Sequence, residues 1–171
     1  MVAPFRLVVA LDRLGPTPSI FRVAPGPEAL AGLAERFGLL ALDRLEAELH
    51  VRRHAAGAEV SGIVSADVTQ ACIVSGESVH AAISEDIAIR FEPETQALDV
   101  ELDAAALDVF PVEAGAIDLG EAVAELLAAA LDPWPRAGEE ALAAARTRLQ
   151  SEEEAAAERA ASGPFAALRQ T

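Results

Sequence analysis

Lysine is absent from this chain of 171 residues, cysteine occurs once, and aromatic residues make up only 4% of the sequence. Without lysine, a phosphate-binding loop of the Walker type cannot be built, because its lysine contacts the nucleotide phosphates. The single cysteine, Cys72, excludes an intrachain disulfide and a cysteine-rich zinc site. The apolar residues are dominated by alanine, so we expect one domain with a modest core.

Long hydrophobic runs are also missing. No apolar run approaches the roughly 20 residues that a membrane-spanning helix needs. The first ten residues lack the basic stretch, the long apolar run and the cleavage site of a secretory signal. We therefore expect a cytoplasmic protein without a membrane partner.

Positive charge is scarce: 13 basic residues face 28 acidic ones, for a formal net charge of -15. This balance disfavours strong non-specific binding to nucleic acids, which requires cations that displace counterions from phosphates. Residues 84–132 hold thirteen acidic residues against Arg90 alone, a net charge of -12. The segment is a solvated surface that aids solubility, a docking face for a basic partner such as a ribosomal protein, or an imitation of nucleic-acid charge.

Hydrophobic periodicity predicts an α+β fold, with an antiparallel β-meander sheet or partial barrel packed against two helices. Apolar and polar residues alternate over 45–52, 60–68 and 79–91, and the second of these strands is predicted to continue to Val74. The short turns between the segments are typical of consecutive antiparallel strands. One face of such a sheet is packed and the other is solvated. Shorter strands are predicted at 5–11, 19–23 and 97–102.

The two predicted helices have recognisable ends. The first covers 27–37, with Pro27 at its first position and Gly38 as the C-terminal glycine. The second begins after Asp118, a favourable N-cap, and Glu121 three residues later would complete a capping box. It must stop at the following Asp-Pro-Trp-Pro run, because proline removes a donor and restricts the residue before it.

The composition changes after this helix. We divide the chain into a single α+β domain, 1–136, and a C-terminal tail, 137–171. The tail is rich in alanine and glutamate and favours helix over 139–161, but two leucines bury little surface there. We expect a helical or disordered tail that ends in a short apolar motif.

Residues suited to catalysis are few. Histidine occurs only at His50, His54 and His80, which the strand pattern places on solvated faces or in a turn. No metalloprotease, catalytic-triad or dinucleotide-binding motif can be assembled from this sequence. We therefore expect no enzyme activity, no cofactor, no metal site and no small-molecule substrate.

Cys72 and Trp134 are the single cysteine and the single tryptophan of the chain, and each is interpreted from its position. Cys72 lies on a predicted strand and is interpreted as a buried small hydrophobe. Trp134, the only tryptophan, either plugs the end of the second helix onto the sheet or presents a rigid aromatic ring to a partner.

Arginine is concentrated at the N-terminal end of the chain, where residues 1–54 contain seven arginines and six acidic residues. If these arginines converge on one face, they could contact RNA phosphates. The corresponding alternative function is a direct RNA-binding module using Arg44, Arg52 and Arg53.

Four short motifs follow one another in a characteristic order. They are Gln-Ala-Cys-Ile-Val at 70–74, Ile-Asp-Leu-Gly-Glu at 117–121, Leu-Asp-Pro-Trp-Pro-Arg at 131–136 and Gly-Pro-Phe-Ala-Ala-Leu at 163–168. In this order and spacing the chain resembles the YceD family of bacterial and plastid proteins, the large ribosomal RNA subunit accumulation proteins, and most closely its alphaproteobacterial type.

The resemblance implies a non-enzymatic factor in ribosome biogenesis that supports synthesis, processing or accumulation of 23S ribosomal RNA. Its implied partner is a ribosomal protein or an rRNA-processing protein. Many members of the family carry a Cys-x-x-Cys pair where this chain has Cys72 and Ser75. Because the second cysteine is missing here, we do not extend metal binding to this chain. The candidate partner-binding residues are Asp118, Glu121, Trp134, Arg136, Phe165 and Leu168.

Overall fold

The computed structural model describes residues 5–93 and 108–148. These residues form two β-sheets and three α-helices. The elements are, in chain order, β1 (Val8–Ala10), β2 (Ser19–Val23), α1 (Pro27–Phe37), β3 (Ala41–His54), β4 (Gly57–Ala71), β5 (Ser78–Pro93), β6 (Asp108–Val112), β7 (Ala116–Asp118), α2 (Leu119–Ala130) and α3 (Glu139–Arg148).

The larger sheet has the strand order β2-β3-β4-β5-β6. Strands β2 to β5 are antiparallel neighbours, whereas β6 pairs in parallel with β5. Strands β1 and β7 form a separate antiparallel pair. The α+β fold class is confirmed, and within the described residues the sheet is open and does not close into a barrel.

The three long strands follow the predicted alternation, with small adjustments at their ends. Strand β4 stops at Ala71 and not at Val74, because the chain turns at Cys72. The Cys72 N–H donates to the Glu77 carbonyl, and the Gly76 N–H donates to the Cys72 carbonyl. Gly76 has a φ of 73°, a conformation that glycine adopts without steric cost.

One face of the large sheet is covered and the other is exposed. Helix α1 packs against β3, and α2 packs against β4 and β1, so the core lies between the helices and the sheet. The first half of β5 is largely exposed, and Glu85, the one polar residue on the apolar side of that strand, lines an open groove beside α2. The most deeply buried large side chains are Leu45, Leu49, Val51, Val60, Val64, Val68, Ile89, Ile117, Leu119, Val123 and Leu127.

Helix α1 has the predicted bounds. Pro27 occupies its first turn, where the missing N–H would have no intrahelical acceptor. Gly38 has a φ of 66° and donates its N–H to the carbonyls of Ala34 and Glu35. This left-handed C-terminal residue ends the helix and directs the chain into β3.

The acidic stretch before α2 contains structure that the sequence pattern did not predict. Strand β6 is followed by a tight turn at Ala114 and Gly115, both with positive φ, and by β7. Strand β7 pairs with β1, the shortened form of the strand predicted at 5–11. The strand predicted at 97–102 lies outside the described residues.

Helix α3 begins within the predicted tail, and residues 149–171 lie outside the described part. The division into 1–136 and 137–171 stays a prediction. Across the described ranges, none of the helices combines the length and the apolar character that crossing a membrane would require.

Candidate docking site at the start of α2

Asp118 joins the N-terminal segment to α2. Its Oδ1 atom accepts from the N–H groups of Gly120 at 3.1 Å and Glu121 at 3.2 Å, so Asp118 is the N-cap that the sequence predicts. The same oxygen accepts from the Leu7 N–H at 3.1 Å, and Oδ2 accepts from Arg6 Nε at 2.7 Å. One carboxylate thus holds the first turn of the helix and the approach to β1 together.

These donors set the ionisation of Asp118. Burial alone would raise its pKa. The hydrogen bonds from Arg6, Glu121 and Leu7 and the positive charge of Arg6 outweigh burial, so the pKa of Asp118 lies below its usual value. The carboxylate is therefore ionised at neutral pH, as an N-cap at the positive end of a helix should be.

Glu121 does not complete the predicted capping box. Its carboxylate binds the Arg36 guanidinium at the end of α1 and accepts two hydrogen bonds, one of them from Nη1 at 2.9 Å. This hydrogen bonding raises the pKa of Arg36. The capping-box prediction is wrong for Glu121 because tertiary packing brings the Arg36 guanidinium within reach, and its two N–H donors give the carboxylate two charge-assisted hydrogen bonds in place of the single one that a capping box offers.

Gly120 is the residue of this motif whose role the sequence analysis missed. A Cβ atom at Gly120 would lie 2.7 Å from the Leu7 nitrogen and 3.0 Å from backbone atoms of Arg6. Glycine is therefore required where the N-terminal segment crosses the first turn of α2. The signal was present in the sequence, since glycine is unfavourable within a helix and its occurrence there indicates close packing.

An apolar groove lies between β6, the β1–β7 pair and α2, with a volume of about 580 Å³. We call it the α2 groove. Its lining is mainly apolar, but among the described residues that line it four are carboxylates and Arg6 is the one cation. The lining residues that matter most are Val8, Phe110, Glu113, Asp118, Glu121 and Glu125.

The α2 groove brings together two of the six predicted partner-binding residues, Asp118 and Glu121. Phe165 and Leu168 lie outside the described residues. Trp134 and Arg136 follow the other end of α2, and a helix of 12 residues separates the two places by about 18 Å. The four predicted residues that the structure describes are therefore divided between two surfaces.

At that other end, Trp134 is 67% exposed. The interpretation of Trp134 as a plug is therefore wrong, and its ring is presented to solvent. The loop is held in place because the Trp134 N–H donates to Asp132 Oδ1 and the Ile73 N–H donates to the Pro135 carbonyl. Ile73 and Val74 are also exposed, so apolar side chains from the two joined loops share this end of the molecule.

Cys72 is buried, as predicted, in the hairpin turn beside this loop. Its thiol pKa is lowered to about 6, chiefly by the hydrogen bond from the Ser75 side chain and then by the N–H groups of Ala137, Ser75 and Val74. Ser75 occupies the position of the second cysteine in the Cys-x-x-Cys pair that the resemblance implies, and here it supplies a hydroxyl donor. Within the described residues, no group of three or more metal-binding side chains comes together.

The arginines of the alternative RNA-binding function do not converge. Arg44 and Arg52 are eight positions apart on β3, about 26 Å at the usual rise of a strand. Arg53 points elsewhere, because its Nη1 donates to the Leu11 carbonyl at 2.6 Å. These positions do not form one phosphate-binding cluster.

Three arginines of the exposed sheet face bind carboxylates directly opposite them on the neighbouring strand. The hydrogen bonds from Arg44 and Arg52 lower the pKa values of Asp67 and Glu59. Such cross-strand pairs stabilise a sheet, and the sequence analysis missed them because the register was unknown. The pairs are Arg22 with Glu48, Arg44 with Asp67 and Arg52 with Glu59.

Comparison with known proteins identifies the family. The model of the family described as "Large ribosomal RNA subunit accumulation protein YceD" matches residues 60–170. The match covers more than half of the chain and includes most of β4, all of β5, the α2 groove carboxylates and the Trp134 loop. The chain belongs to the YceD family. No curated protein and no solved structure matches it.

The family description associates its members with accumulation of the RNA of the large ribosomal subunit. It names this role and not a chemical reaction. The resemblance drawn from the four sequence motifs is thereby confirmed at the level of the family.

Proposed function

We propose that this protein is a non-enzymatic cytoplasmic factor in ribosome biogenesis that supports the synthesis, processing or accumulation of 23S rRNA by docking a basic protein partner. The observation that carries the proposal is the distribution of charge. The arginines of the exposed sheet face bind neighbouring carboxylates, whereas the α2 groove has four carboxylates and one cation in its lining. A surface with this excess attracts a basic protein and repels RNA.

The exposed Trp134 loop supplies a second contact of a different kind. Tryptophan on a rigid loop is a common anchor in protein interfaces, and here it is flanked by Ile73 and by the exposed Arg136. The exposed Trp134 at one end of α2 and the α2 groove at the other suit a partner that contacts both.

Direct RNA binding through Arg44, Arg52 and Arg53 has no comparable support. Sheets that bind single-stranded RNA use aromatic side chains on which bases stack. Among the described residues of the exposed sheet face, phenylalanine and tryptophan are absent and arginines are paired with carboxylates. The rings on this face are the imidazoles of His50 and His80, whose partners Ser61 and Thr69 are eight positions apart on β4, so they do not form one stacking platform.

The test is an affinity pull-down of tagged full-length protein from cell lysate, divided into RNase-treated and untreated halves. Identified basic proteins of the large subunit should remain bound after RNase treatment and should be released as the salt concentration rises, because exposed charges are screened. Retention that disappears with RNase would contradict protein docking. Normal 23S rRNA levels after deletion of the gene would contradict the biological role.

A further inference from the structure

We propose that the α2 groove binds a basic polypeptide segment that also carries apolar side chains, supplied by another protein. The inference rests on the proposed function, because it names the surface and the chemistry by which the partner docks. It commits to one groove and one class of occupant, and it can fail while the proposed function survives.

The floor of the groove provides the apolar part of the contact. Val8 is 54% exposed and lines the groove from the β1 side. On the β6 side, Phe110 is half-buried and packs against Phe91, with 5.5 Å between the ring centroids. A volume of about 580 Å³ falls within the range of cavities that hold ligand groups of several heavy atoms.

The rim provides the charge. Asp118 and Glu121 are already bound by Arg6 and Arg36. Counting both cations, four carboxylates still leave a net charge of -2 around the groove. Glu113 contributes to this excess from the strand side and Glu125 from the helix side.

Arginine and lysine suit a site of this kind. Their aliphatic stems pack on apolar surface while their charged ends reach the rim. An apolar residue next to them would fill the floor. A segment that alternates basic and apolar residues therefore fits both parts of the groove.

Charge also argues against other occupants. Residues 94–107 contain four acidic residues and no basic one, and residues 149–171 contain four acidic residues and two arginines. A second copy would bring its own net charge of -15, and RNA would bring phosphates. Each would place like charge on the rim, whereas a basic segment is attracted to it.

The direct test measures fluorescence anisotropy of a short dye-labelled peptide of alternating arginine and leucine, titrated with the full-length protein. The double variant Glu113→Gln/Glu125→Gln keeps the shape of the rim and removes two charges. We expect it to weaken peptide binding by about tenfold. The matched control Glu28→Gln/Glu77→Gln makes the same change in net charge on exposed residues outside the groove and should change affinity less than about twofold.

A second pair of variants tests the apolar floor. Val8→Arg places a cation in the groove, where it repels a basic peptide, and should reduce affinity by about tenfold or more. Ile20→Arg adds the same charge at a residue that is 58% exposed outside the groove and should leave binding nearly unchanged. Circular dichroism should show that both variants are folded, because neither replaced side chain is buried.

Three results would overturn the inference. The first is that the peptide does not bind. The second is that the groove variants and the control variants weaken peptide binding equally. The third is that a single-stranded RNA oligonucleotide binds, that Val8→Arg strengthens this binding, and that the peptide displaces the RNA. A peptide with glutamine in place of arginine should bind at least about tenfold more weakly. If that peptide bound equally well, electrostatic attraction would not contribute to binding.

The pull-down separates this inference from the proposed function. If wild type retains identified basic large-subunit proteins after RNase and Glu113→Gln/Glu125→Gln does not, the groove is supported. If both retain them equally, the groove is the wrong surface and the proposed function stands. If wild type retains none, the proposed function fails.

Discussion

Asp118 shows how much one side chain decides at the residue scale. Its two oxygens accept hydrogen bonds from the first turn of α2, from the backbone before β1 and from Arg6. The sequence predicts the capping bond because an N-cap is a local feature. The bonds to Arg6 and Leu7 span more than a hundred positions and depend on the fold.

Replacing Asp118 by Asn removes the charge and keeps the shape. The pKa of Asp118 is lower in the folded protein than in the unfolded chain, so the ionised carboxylate stabilises the fold. This stabilisation is fully present at pH values above the pKa of an unfolded aspartate, about 3.9, and is lost as the pH falls through the pKa of the folded protein. We expect Asp118→Asn to lower the free energy of unfolding by about 1–2 kcal/mol at pH 7 and by less at pH 3. Urea unfolding at pH 7 and pH 3 measures the free energy of unfolding, with Asp86→Asn as a control at an exposed residue. If Asp118→Asn lowered the free energy of unfolding equally at both pH values, the charge of Asp118 would not be the cause.

The thiol of Cys72 is a second residue-scale case. The Ser75 hydroxyl is the main cause of its pKa of about 6, so Ser75→Ala should move the thiol pKa upwards, towards the ordinary value of about 8.5. Thiolate absorbance at 240 nm as a function of pH reports this without requiring access to the buried sulfur. Ser78→Ala, in the exposed start of β5, is the control. An unchanged pKa in Ser75→Ala would show that the backbone N–H groups suffice.

At the scale of elements, the first turn of α2 depends on the absence of a side chain. Gly120→Ala would force a Cβ atom against the backbone of Leu7 and Arg6. We expect it to lower the free energy of unfolding by about 1–3 kcal/mol, as overpacking does, although alanine favours helix.

Gly138→Ala is the matched control, because nothing lies within 4 Å of the added atom. It should change the free energy of unfolding by less than about 0.5 kcal/mol. Urea unfolding of both variants measures the difference. A Gly120→Ala protein as stable as wild type would mean that the N-terminal segment can move away from α2 at little cost.

The covered face of the large sheet should not accept a charged side chain. Ile87 is 7% exposed on β5, so Ile87→Asp would bury an unpaired charge and should destabilise the domain by several kcal/mol, enough to unfold it. Ile20→Asp, on the exposed face at 58% exposure, should remain folded. Circular dichroism and thermal unfolding distinguish the two, and a folded Ile87→Asp would contradict the assignment of the faces.

At the scale of the whole molecule, the arginines of the sheet test the choice between partners. Arg44→Gln/Arg52→Gln removes two cross-strand pairs, which should reduce stability only slightly because exposed ion pairs contribute little. We expect any retention of RNA in a filter assay to be unchanged. If this variant were folded but no longer retained RNA, the exposed face of the sheet would be the RNA-binding surface.

The sequence alone determined those features whose causes are local. The alternation in β3 to β5, the bounds of α1 and the N-cap of α2 depend on neighbouring residues, and they were enough to predict an α+β fold. The order of the four motifs is a property of the sequence itself, and it was enough to predict the YceD family. Strands β6 and β7 were missed because they are short, carry little alternation and are stabilised by partners distant in sequence.

Only the tertiary structure decided which charges are paired and which surround a groove. Glu121 and Arg36 are 85 positions apart, and the partners of Arg44 and Arg52 follow from the strand register. Composition counts charges without distances, whereas electrostatic energy depends on distance and burial. The net charge of -15 therefore left a solvated acidic surface and a docking face as open alternatives, and only the fold shows which carboxylates line the α2 groove.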